Sequence, residues 1–353
     1  MKIITIVGAR PQFIKAAPVS KALRKQHEEV LIHTGQHYDE NMSNIFFNEL
    51  KIPRPDYNLE IGSGSHGMMT GRMIEKLEEI YLKEKPDFVL VYGDTNSTLA
   101  GALAASKLLI PVIHVEAGLR SFNKAMPEEQ NRILTDHISK LLLVPTEDAV
   151  KNLSNEGIRK GVHNVGDVMY DAVLMFKELA KTKEALLEDL ECKTGEYILT
   201  TIHRAENTND INRLKNMIEA LNECGENVIL PLHPRTKKFI EGYGLSFNEN
   251  IKVIDPIGYL EMLMLEENSK MIVTDSGGVQ KEAYFMGKPC ITMRDETEWV
   301  ETVQCGWNVI VGTDKEKIKQ NIKTFRPTTE QQLIFGDGNA SEKILNLINE
   351  DKQ

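Results

Sequence analysis

The sequence predicts an α/β protein made of two doubly wound halves, each with a parallel sheet covered by helices on both faces. Short apolar runs typical of buried strands alternate with longer runs typical of helices along almost the whole chain. The 353 residues exceed what one hydrophobic core usually supports, so we expect two domains. Two such domains leave an interdomain cleft at the carboxyl ends of their sheets, where a ligand is expected.

The strand and helix pattern restarts after a helical stretch near the middle of the chain. In the first half we predict strands at Ile3–Val7, Val30–His33, Phe88–Tyr92, Val112–Val115, Leu141–Val144 and Val162–Val165. The helices predicted between them include Gln12–Arg24, Met68–Lys83, Ser97–Leu108 and Glu128–Ser139. In the second half we predict strands at Tyr197–Thr201, Val228–Leu230, Lys252–Ile254, Met271–Thr274 and Cys290–Thr292.

These elements predict the domain boundaries. We place one Rossmann-like domain at 1–168, a helical connector rich in Lys and Glu at 169–190, and a second Rossmann-like domain at 191–335. Residues 339–353 contain a predicted final helix, and the first domain is a candidate packing site for it. Asn339 and Ser341 are its candidate capping residues.

The composition narrows the classes of partner and location. A formal net charge of -10 and the lack of a basic patch argue against nucleic-acid binding. No apolar run approaches membrane-spanning length and no signal-peptide core follows Met1, so we expect no membrane association and a cytoplasmic location. The 4 cysteines are scattered and indicate reduced thiols. The acids and histidines lack a zinc-like spacing, so no metal is expected.

One motif matches a dinucleotide-binding fingerprint but stands in the wrong place. Gly62-Ser-Gly64-Ser-His-Gly67 has the required glycine spacing. However, Pro53, Pro55 and a polar run precede it instead of an apolar strand. It also lies outside the first strand–helix–strand unit, where this fingerprint belongs. We therefore expect no nicotinamide cofactor.

The stretch from Met271 to Glu282 has the pattern of a phosphate-binding turn. A buried strand is followed by the small residues Ser276, Gly277 and Gly278 and then by a helix. Glycines let backbone amides approach an anion at a helix N-terminus, where the helix dipole favours negative charge. Glu282 lies about one turn further on and could accept hydrogen bonds from two ribose hydroxyls. An ordinary strand–turn–helix with a glycine elbow is the alternative interpretation.

Charged side chains follow the ends of predicted strands in the first half. Arg10 and Lys15 follow the first strand and either bring positive charge to the cleft or are ordinary surface charge. Asp94 follows Phe88–Tyr92 and is either a helix N-cap or a cleft carboxylate. Glu116 follows the next predicted strand and is a poor capping residue, which favours a functional role.

Two further places carry candidate residues. Glu128 lies in the first turn of a predicted helix, where the helix dipole alone explains an acid, and it could pair with Arg132. His203 and Arg204 follow the strand Tyr197–Thr201 and could contribute charge to a diphosphate. Together, the acids, the basic groups, the histidine and the phosphate-binding turn indicate an enzyme that acts on a nucleotide sugar without a metal or a nicotinamide.

Several motifs occur in a fixed order along almost the whole chain. They are Gly8-Ala-Arg10-Pro-Gln-Phe-Ile-Lys15, Thr34-Gly-Gln-His37, Gly93-Asp94-Thr, His114-Val-Glu116-Ala-Gly-Leu-Arg120, Pro127-Glu128-Glu129, Thr201-Ile-His203-Arg204-Ala-Glu206-Asn207 and Thr274-Asp-Ser276-Gly-Gly-Val-Gln-Lys-Glu282. Each motif is weak alone. Their joint order and spacing resemble the non-hydrolysing UDP-N-acetylglucosamine 2-epimerase family.

The resemblance implies a glycosyltransferase-B type fold, in which two Rossmann-like domains close over UDP, usually in a homodimer. It also implies the interconversion of UDP-N-acetylglucosamine and UDP-N-acetylmannosamine. In that reaction a base removes the C2 proton while UDP leaves C1, which gives 2-acetamidoglucal. UDP then adds back and the proton returns to the other face. A hydrolysing relative and a glycosyltransferase of the same fold are the alternatives.

Carried over residue by residue, the resemblance assigns roles to the candidate residues. Asp94, Glu116 and Glu128 would serve in acid–base chemistry, and which of them takes the proton stays open. His203 would lie near the diphosphate. The other assignments are charge stabilisation by Arg10, phosphate binding by Ser276, Gly277 and Gly278, ribose binding by Glu282, a uracil border at Ile257 and Met262, and further substrate contacts from Lys15 and Arg132.

One position departs from the family pattern. Many bacterial members carry Arg after an Arg-Asp-x-Thr-Glu run, where this chain has Trp299. The substrate contact of that Arg is then missing or is replaced by Arg294, which leaves a diacetamido sugar or uronic acid open as the substrate. Bacterial members also bind a second UDP-sugar as an activator, and the residues in the matching motifs are Gln36, His37, Arg204 and His233.

Overall fold

The chain folds into two compact units. They appear in a computed structural model that describes residues 1–35, 47 and 49–351. The first unit comprises Met1–Met175 with Leu333–Gln353, and the second comprises Phe176–Gln332. Gln36 and His37, two of the residues in the motifs that match activator-binding members, lie outside the described residues.

The first unit is built on a 7-stranded sheet. Its strands are β1 (Lys2–Val7), β2 (Glu28–His33), β3 (Tyr57–Asn58), β4 (Phe88–Tyr92), β5 (Val112–Val115), β6 (Leu141–Val144) and β7 (Val162–Asn164). All neighbours pair in parallel, in the order β3-β2-β1-β4-β5-β6-β7. The order changes direction between β1 and β4, which is the switch point where doubly wound sheets bind ligands.

Helices connect these strands and bury the sheet. They are α1 (Arg10–Leu23), α2 (His66–Glu84), α3 (Asn96–Lys107), α4 (Pro127–Ile138), α5 (Glu147–Asn155) and α6 (Val168–Ala180), which runs into the second unit. One core joins Ile4 and Ile6 of β1 to Leu77 of α2 and the alanines of α3. A smaller core joins β6 to α5. The alanines of α3 allow this helix to pack closely on β1 and β4.

The second unit repeats the architecture with 6 parallel strands in the order β10-β9-β8-β11-β12-β13. The strands are β8 (Tyr197–Thr201), β9 (Asn227–Pro231), β10 (Ile251–Ile254), β11 (Met271–Thr274), β12 (Cys290–Thr292) and β13 (Asn308–Ile310). The helices are α7 (Ala185–Asp189), α8 (Ala205–Thr208), α9 (Ile211–Asn222), α10 (Pro234–Gly242), α11 (Tyr259–Asn268), α12 (Gly277–Phe285), α13 (Val300–Gln304) and α14 (Lys315–Thr324), and a short 3-10 turn covers Lys181–Lys183. Its switch point lies between β8 and β11.

The alternation predicted from the sequence is confirmed, and every predicted strand is present with small shifts at its ends. The sequence missed β3 and β13, which contain 2 and 3 residues. Each lies at an edge of its sheet, and such short stretches carry too little apolar pattern to be recognised. The glycine-rich 62–67 segment follows the edge strand β3 and its glycines are exposed, so no strand of the sheet interior leads into it.

The last helix, α15 (Ala340–Glu350), packs on α1 and belongs to the first unit. The expected cap from Asn339 is wrong, because its side chain makes no capping hydrogen bond. Asp171 of α6 provides the cap and accepts hydrogen bonds from the backbone N–H groups of Ala340 (3.0 Å) and Ser341 (2.7 Å). This contact also explains why the first turns of α6 belong to the first unit, beyond residue 168.

No helix in the described parts of the chain is long and apolar enough to cross a membrane. The cysteines Cys192, Cys224, Cys290 and Cys305 are free thiols, and all but Cys192 are buried.

The Asp171→Ala variant tests how strongly α15 is anchored. It leaves buried N–H groups without an acceptor, and we expect the free energy of unfolding to fall by about 2–4 kcal/mol in urea titrations. The Glu342→Gln variant is the matched control, because it removes only an exposed contact to Lys25 at 2.6 Å. The free energy of unfolding of Glu342→Gln should fall by less than about 0.5 kcal/mol. Equal losses in the two variants would contradict the capping role.

Candidate active site

Gln12 holds the carboxyl ends of β1 and β4 together. Its side-chain carbonyl accepts from the backbone N–H groups of Gly8 (2.7 Å) and Ala9 (3.2 Å), and its amide donates to Tyr92 O (2.7 Å). A Cβ at Gly8 would overlap the Ser97 hydroxyl, so only glycine fits where these strand ends approach each other. This contact fixes the turn that carries Arg10, which begins α1 and is exposed.

Asp94 lies in the turn after β4. The N-cap interpretation of Asp94 is wrong, because Thr95 is the cap of α3 and accepts from the Thr98 N–H at 3.3 Å. Asp94 instead accepts a hydrogen bond from Arg132 Nη2 at 2.6 Å and is partly exposed. An arginine therefore orients this carboxylate while solvent can still reach it.

The expected pair between Glu128 and Arg132 does not form. Arg132 donates to Glu129 at 2.8 Å instead, because Glu129 faces inward while Glu128 is exposed on the first turn of α4. Glu129 also accepts from the backbone N–H groups of Ser121 and Phe122. Burial opposes ionisation of Glu129, but these hydrogen bonds outweigh it and hold its pKa below the usual range. Glu129 therefore orients both Arg132 and the loop that contains Ser121 and Phe122.

Glu116 directly follows β5 and is a buried carboxylate, 4% exposed. Its φ of 65° is left-handed, which costs a side chain such as Glu about 1–2 kcal/mol and is often retained at functional sites. The Lys15 ammonium lies 2.5 Å from Glu116 Oε2, so Lys15 is not the ordinary surface charge that the sequence left open. Gly93 is adjacent, since a Cβ there would lie 3.4 Å from the same oxygen. The first unit thus brings Lys15, Glu116 and the Asp94 turn together.

In the second unit, Asp275 anchors the turn that carries His203. Asp275 is fully buried at the end of β11 and accepts from the backbone N–H groups of His203 (3.1 Å) and Arg204 (3.0 Å) and from the Asn207 amide (3.1 Å). The His203 ring is 50% exposed, and its Nδ1 lies 3.6 Å from Asp275 Oδ1, too far for a hydrogen bond. The ring is therefore placed by its backbone and open to a ligand.

Ser276 and the two glycines form the start of α12, as predicted. Ser276 is the N-cap and accepts from the Val279 N–H at 3.4 Å. A Cβ at Gly277 would overlap a carboxylate oxygen of Glu298, whereas the space beside Gly278 is open. Glycine at 277 therefore lets the Glu298 carboxylate approach the helix N-terminus, and the open space beside Gly278 leaves room for another negatively charged group.

Glu298 shows that this environment stabilises an anion. Its carboxylate contacts Arg294 Nη1 at 2.8 Å and lies 3.7 Å from Arg204 Nη2. Burial opposes its ionisation, but the two guanidinium groups and a backbone hydrogen bond hold the pKa of Glu298 below its usual range. The turn assigned to phosphate thus already accommodates negative charge from the chain itself.

The remaining predicted residues of the second unit lie on α11 and α12. Glu282 is buried on α12. Ile257 and Met262 flank the N-cap of α11 at the two positions whose side chains often pack together, and both are half-buried. They leave apolar surface accessible. The described residues contain no cluster of His, Cys, Asp and Glu suited to a metal ion.

Comparison with known proteins identifies the family. A sequence model described as UDP-N-acetylglucosamine 2-epimerase matches residues 21–349. The chain belongs to this epimerase family. It is 60% identical to a Methanococcus maripaludis protein named UDP-N-acetylglucosamine 2-epimerase homolog, over 99% of both chains. It is 55% identical to the Pseudomonas aeruginosa UDP-2,3-diacetamido-2,3-dideoxy-D-glucuronate 2-epimerase, again over 99% of both.

A solved relative also confirms the fold class. The crystal structure of the Methanocaldococcus jannaschii UDP-N-acetylglucosamine 2-epimerase, in complex with UDP-N-acetylglucosamine and UDP, matches with a TM-score of 0.88 and 47% identity. The match covers 99% of this chain and 100% of that one. The epimerase therefore has two Rossmann-like domains of the glycosyltransferase-B type, and its family consists of isomerases.

Trp299, the departure from the pattern of many bacterial epimerases, is buried. The Lys281 ammonium lies 4.1 Å from the centre of its ring in a cation–π contact. Arg294, the candidate replacement for the absent Arg, already pairs with Glu298. The structure also describes Arg204 and His233, the other two residues in the motifs that match activator-binding members. Arg204 Nη2 lies 3.7 Å from a Glu298 oxygen, and His233 caps α10, where its Nδ1 accepts from the Arg235 N–H at 3.2 Å.

Sequence reasoning missed a buried charged network beneath the first-unit residues of this epimerase. His114 is fully buried, with one ring nitrogen 2.7 Å from Asp136 Oδ1 and the other 2.8 Å from Gly93 O. The ring therefore links Asp136 to the backbone of the turn after β4. Asp136 also contacts Arg120 at 2.8 Å. The sequence showed only that His114 and Arg120 lie within one motif. It did not show that Asp136 is the partner of both.

The charge of Asp136 should support stability at neutral pH. Burial opposes its ionisation, but His114 and Arg120 outweigh burial and lower its pKa. Because the folded pKa lies below the unfolded value, this stabilisation is present above about pH 4 and is lost as the pH falls through the folded pKa. Asp136→Asn should therefore cost about 3–5 kcal/mol at pH 7, and its difference from wild type should narrow on acidification below pH ~4 in urea unfolding.

Glu156→Gln is the control for this network. It removes the other carboxylate beside Arg120, at 2.7 Å, but that side chain is 27% exposed. We expect a loss of about 1 kcal/mol or less. A difference between Asp136→Asn and wild type that stays constant from pH 7 to pH 3 would contradict an ionised Asp136.

Proposed function

We propose that the protein reversibly interconverts UDP-N-acetylglucosamine and UDP-N-acetylmannosamine by inverting C2. UDP leaves C1 as a proton leaves C2, 2-acetamidoglucal forms, and both groups then add back. The observation that carries this proposal is Glu116, a buried carboxylate in a strained conformation beside Lys15. A relative bound to UDP-N-acetylglucosamine and UDP supports the choice of substrate.

The acid–base groups are assigned to the first unit. The C2 hydrogen is not activated by a carbonyl, so its removal needs a positioned base and a stabilised leaving group. Asp94 and Glu116 follow the adjacent strands β4 and β5, and each lies beside a cation, Arg132 and Lys15 respectively. This pairing supports Asp94 and Glu116 as the two groups that move the proton. Glu128 is a third candidate, on the exposed first turn of α4.

Nucleotide binding is assigned to the second unit. Phosphate oxygens would accept hydrogen bonds at the start of α12, from Ser276, Gly277 and Gly278. The exposed His203 ring would stabilise charge on the diphosphate as the bond to C1 breaks, with Arg10 of the first unit as a further cation. Glu282 would bind ribose hydroxyls, and the apolar surface of Ile257 and Met262 would border the uracil.

An exchange experiment tests the proposal. In deuterated water we expect UDP-N-acetylglucosamine to gain deuterium at C2 and to yield the manno epimer, followed by NMR. Asp94→Asn and Glu116→Gln should each lower kcat by about 10²–10⁴-fold, because each removes a group that transfers a proton. UDP binding, measured by calorimetry, should be nearly unchanged in both variants. Asp148→Asn, which changes a partly exposed carboxylate beside Lys151, is the matched control.

The products separate the alternatives. Free N-acetylmannosamine would indicate a hydrolysing enzyme, and turnover that requires an acceptor would indicate a glycosyltransferase. A protein that binds UDP but neither exchanges deuterium into any UDP-sugar nor converts one would be a nucleotide-sugar sensor.

A second candidate substrate is a UDP-diacetamido uronic acid. The Pseudomonas aeruginosa relative, 55% identical, is named for UDP-2,3-diacetamido-2,3-dideoxy-D-glucuronate, and Trp299 is buried where many bacterial members carry Arg. We expect UDP-N-acetylglucosamine to have the higher kcat/KM when both sugars are assayed separately. A preference of more than about tenfold for the uronate, or about 1.4 kcal/mol, would assign the second substrate instead.

A further inference from the structure

One buried histidine joins the turn that carries Asp94 to the turn that carries Glu116. His114 lies on β5, two residues before Glu116, and its Nε2 lies 2.8 Å from Gly93 O. The Gly93 N–H donates to Val115 O, also on β5, at 2.9 Å. The end of β5 therefore holds Gly93 by both its carbonyl and its N–H. Because Gly93 has a φ of 63°, the chain turns at this residue, and its placement sets the position of Asp94.

Asp136 of α4 fixes the segment around Glu116 on both sides. Its Oδ1 lies 2.7 Å from His114 Nδ1, two residues before Glu116. Its Oδ2 accepts from the Gly118 N–H at 3.1 Å, two residues after Glu116, and contacts Arg120 Nη1 at 2.8 Å. Glu116 has a left-handed φ of 65°, and such a conformation persists only where the surrounding contacts hold it. Asp136 provides these contacts before and after the strained residue.

Inversion at C2 makes the relative placement of the two carboxylates important. A carboxylate transfers a proton only on the face of the sugar that it approaches, so removal from one face and return to the other require two groups. Both must lie within hydrogen-bond reach of hydrogen at the same carbon. A displacement of about 1 Å at one of them can lower the rate by about 10²-fold. A contact that fixes the Asp94 turn against the Glu116 turn therefore affects the reaction itself.

We propose that His114 is a positioning residue that fixes the Asp94 turn against Glu116 through its contact to Gly93 O, with Asp136 as the anchor of its ring. This inference rests on the proton-transfer roles proposed for Asp94 and Glu116. The side chains of His114 and Asp136 are both 0% exposed, so they act through the two turns and do not touch a ligand themselves.

Substitutions at His114 separate its two contacts. The amide of His114→Asn takes the place of Nδ1, so it keeps the contact to Asp136 and loses the contact to Gly93 O. The longer amide of His114→Gln reaches the place of Nε2, so it keeps Gly93 O and loses Asp136. His114→Leu retains most of the buried volume and loses both contacts. Glu156→Gln is the matched control, because it removes a contact to Arg120 in the same network without touching Gly93.

The measurement is the ratio of C2 deuterium in the recovered starting sugar to epimer formed, at initial rates in deuterated water and from each UDP-sugar in turn. Return of deuterium to the original face labels the starting sugar, and return to the other face gives the epimer. A smaller fraction of folded protein lowers both products equally, so a merely structural role leaves the ratio unchanged.

We expect the loss of the Gly93 contact to change this ratio. His114→Asn and His114→Leu should raise it by about 10- to 100-fold in one direction of the reaction, because the displaced Asp94 no longer serves its face of the sugar. His114→Gln and Glu156→Gln should stay near the wild-type ratio, although both are less stable to urea. The direction in which the ratio rises identifies the face that Asp94 serves.

The outcomes distinguish this inference from the proposed function. A wild type that neither gains deuterium at C2 nor forms the epimer would overturn the proton-transfer roles and the inference that depends on them. A wild type that epimerises, with a ratio unchanged in both His114→Asn and His114→Leu, would overturn the positioning role alone. A ratio raised equally in His114→Gln would also overturn it, because the contact to Gly93 O would then not be the one that matters.

Discussion

Each sheet depends on one buried polar side chain that accepts hydrogen bonds from backbone N–H groups at its switch point. Strands diverge there, and the N–H groups of the following turns have no partner within the sheet. Each such group would cost about 1–3 kcal/mol if it were buried without an acceptor. Gln12 accepts from two of them after β1, and Asp275 does the same after β8. The turns that carry Arg10 and His203 are rigid for this reason.

The two units stabilise their carboxylates in different ways. In the first unit, Glu116 lies beside Lys15 and Asp94 beside Arg132, so the charge of each acid is balanced by a cation. In the second unit, the fully buried Asp275 is held by the backbone N–H groups of His203 and Arg204 and by the Asn207 amide. Cations beside an acid suit proton transfer, because they stabilise its charged state. Neutral N–H donors suit an anchoring role, because they satisfy the buried carboxylate and fix the turn that donates to it.

Elements were predictable where the pattern was local and long. The strands of the sheet interiors are apolar runs, and the sequence located each of them, together with Asp94 and Glu116 at their ends. Predictions failed where one residue decided the outcome. Thr95 caps α3 in place of Asp94, and Arg132 contacts Glu129 in place of Glu128, because the direction of a side chain on a helix changes by about 100° per residue.

The sequence by itself determined the order of strands and helices, the family and the turns from which the candidate residues project. Apolar periodicity and short motifs are local, so they can be read along the chain. Only the tertiary structure decided which distant groups meet: Asp171 with the start of α15, His114 with Asp136, and Lys15 with Glu116. These contacts join residues on separate elements, and their partners depend on how those elements pack.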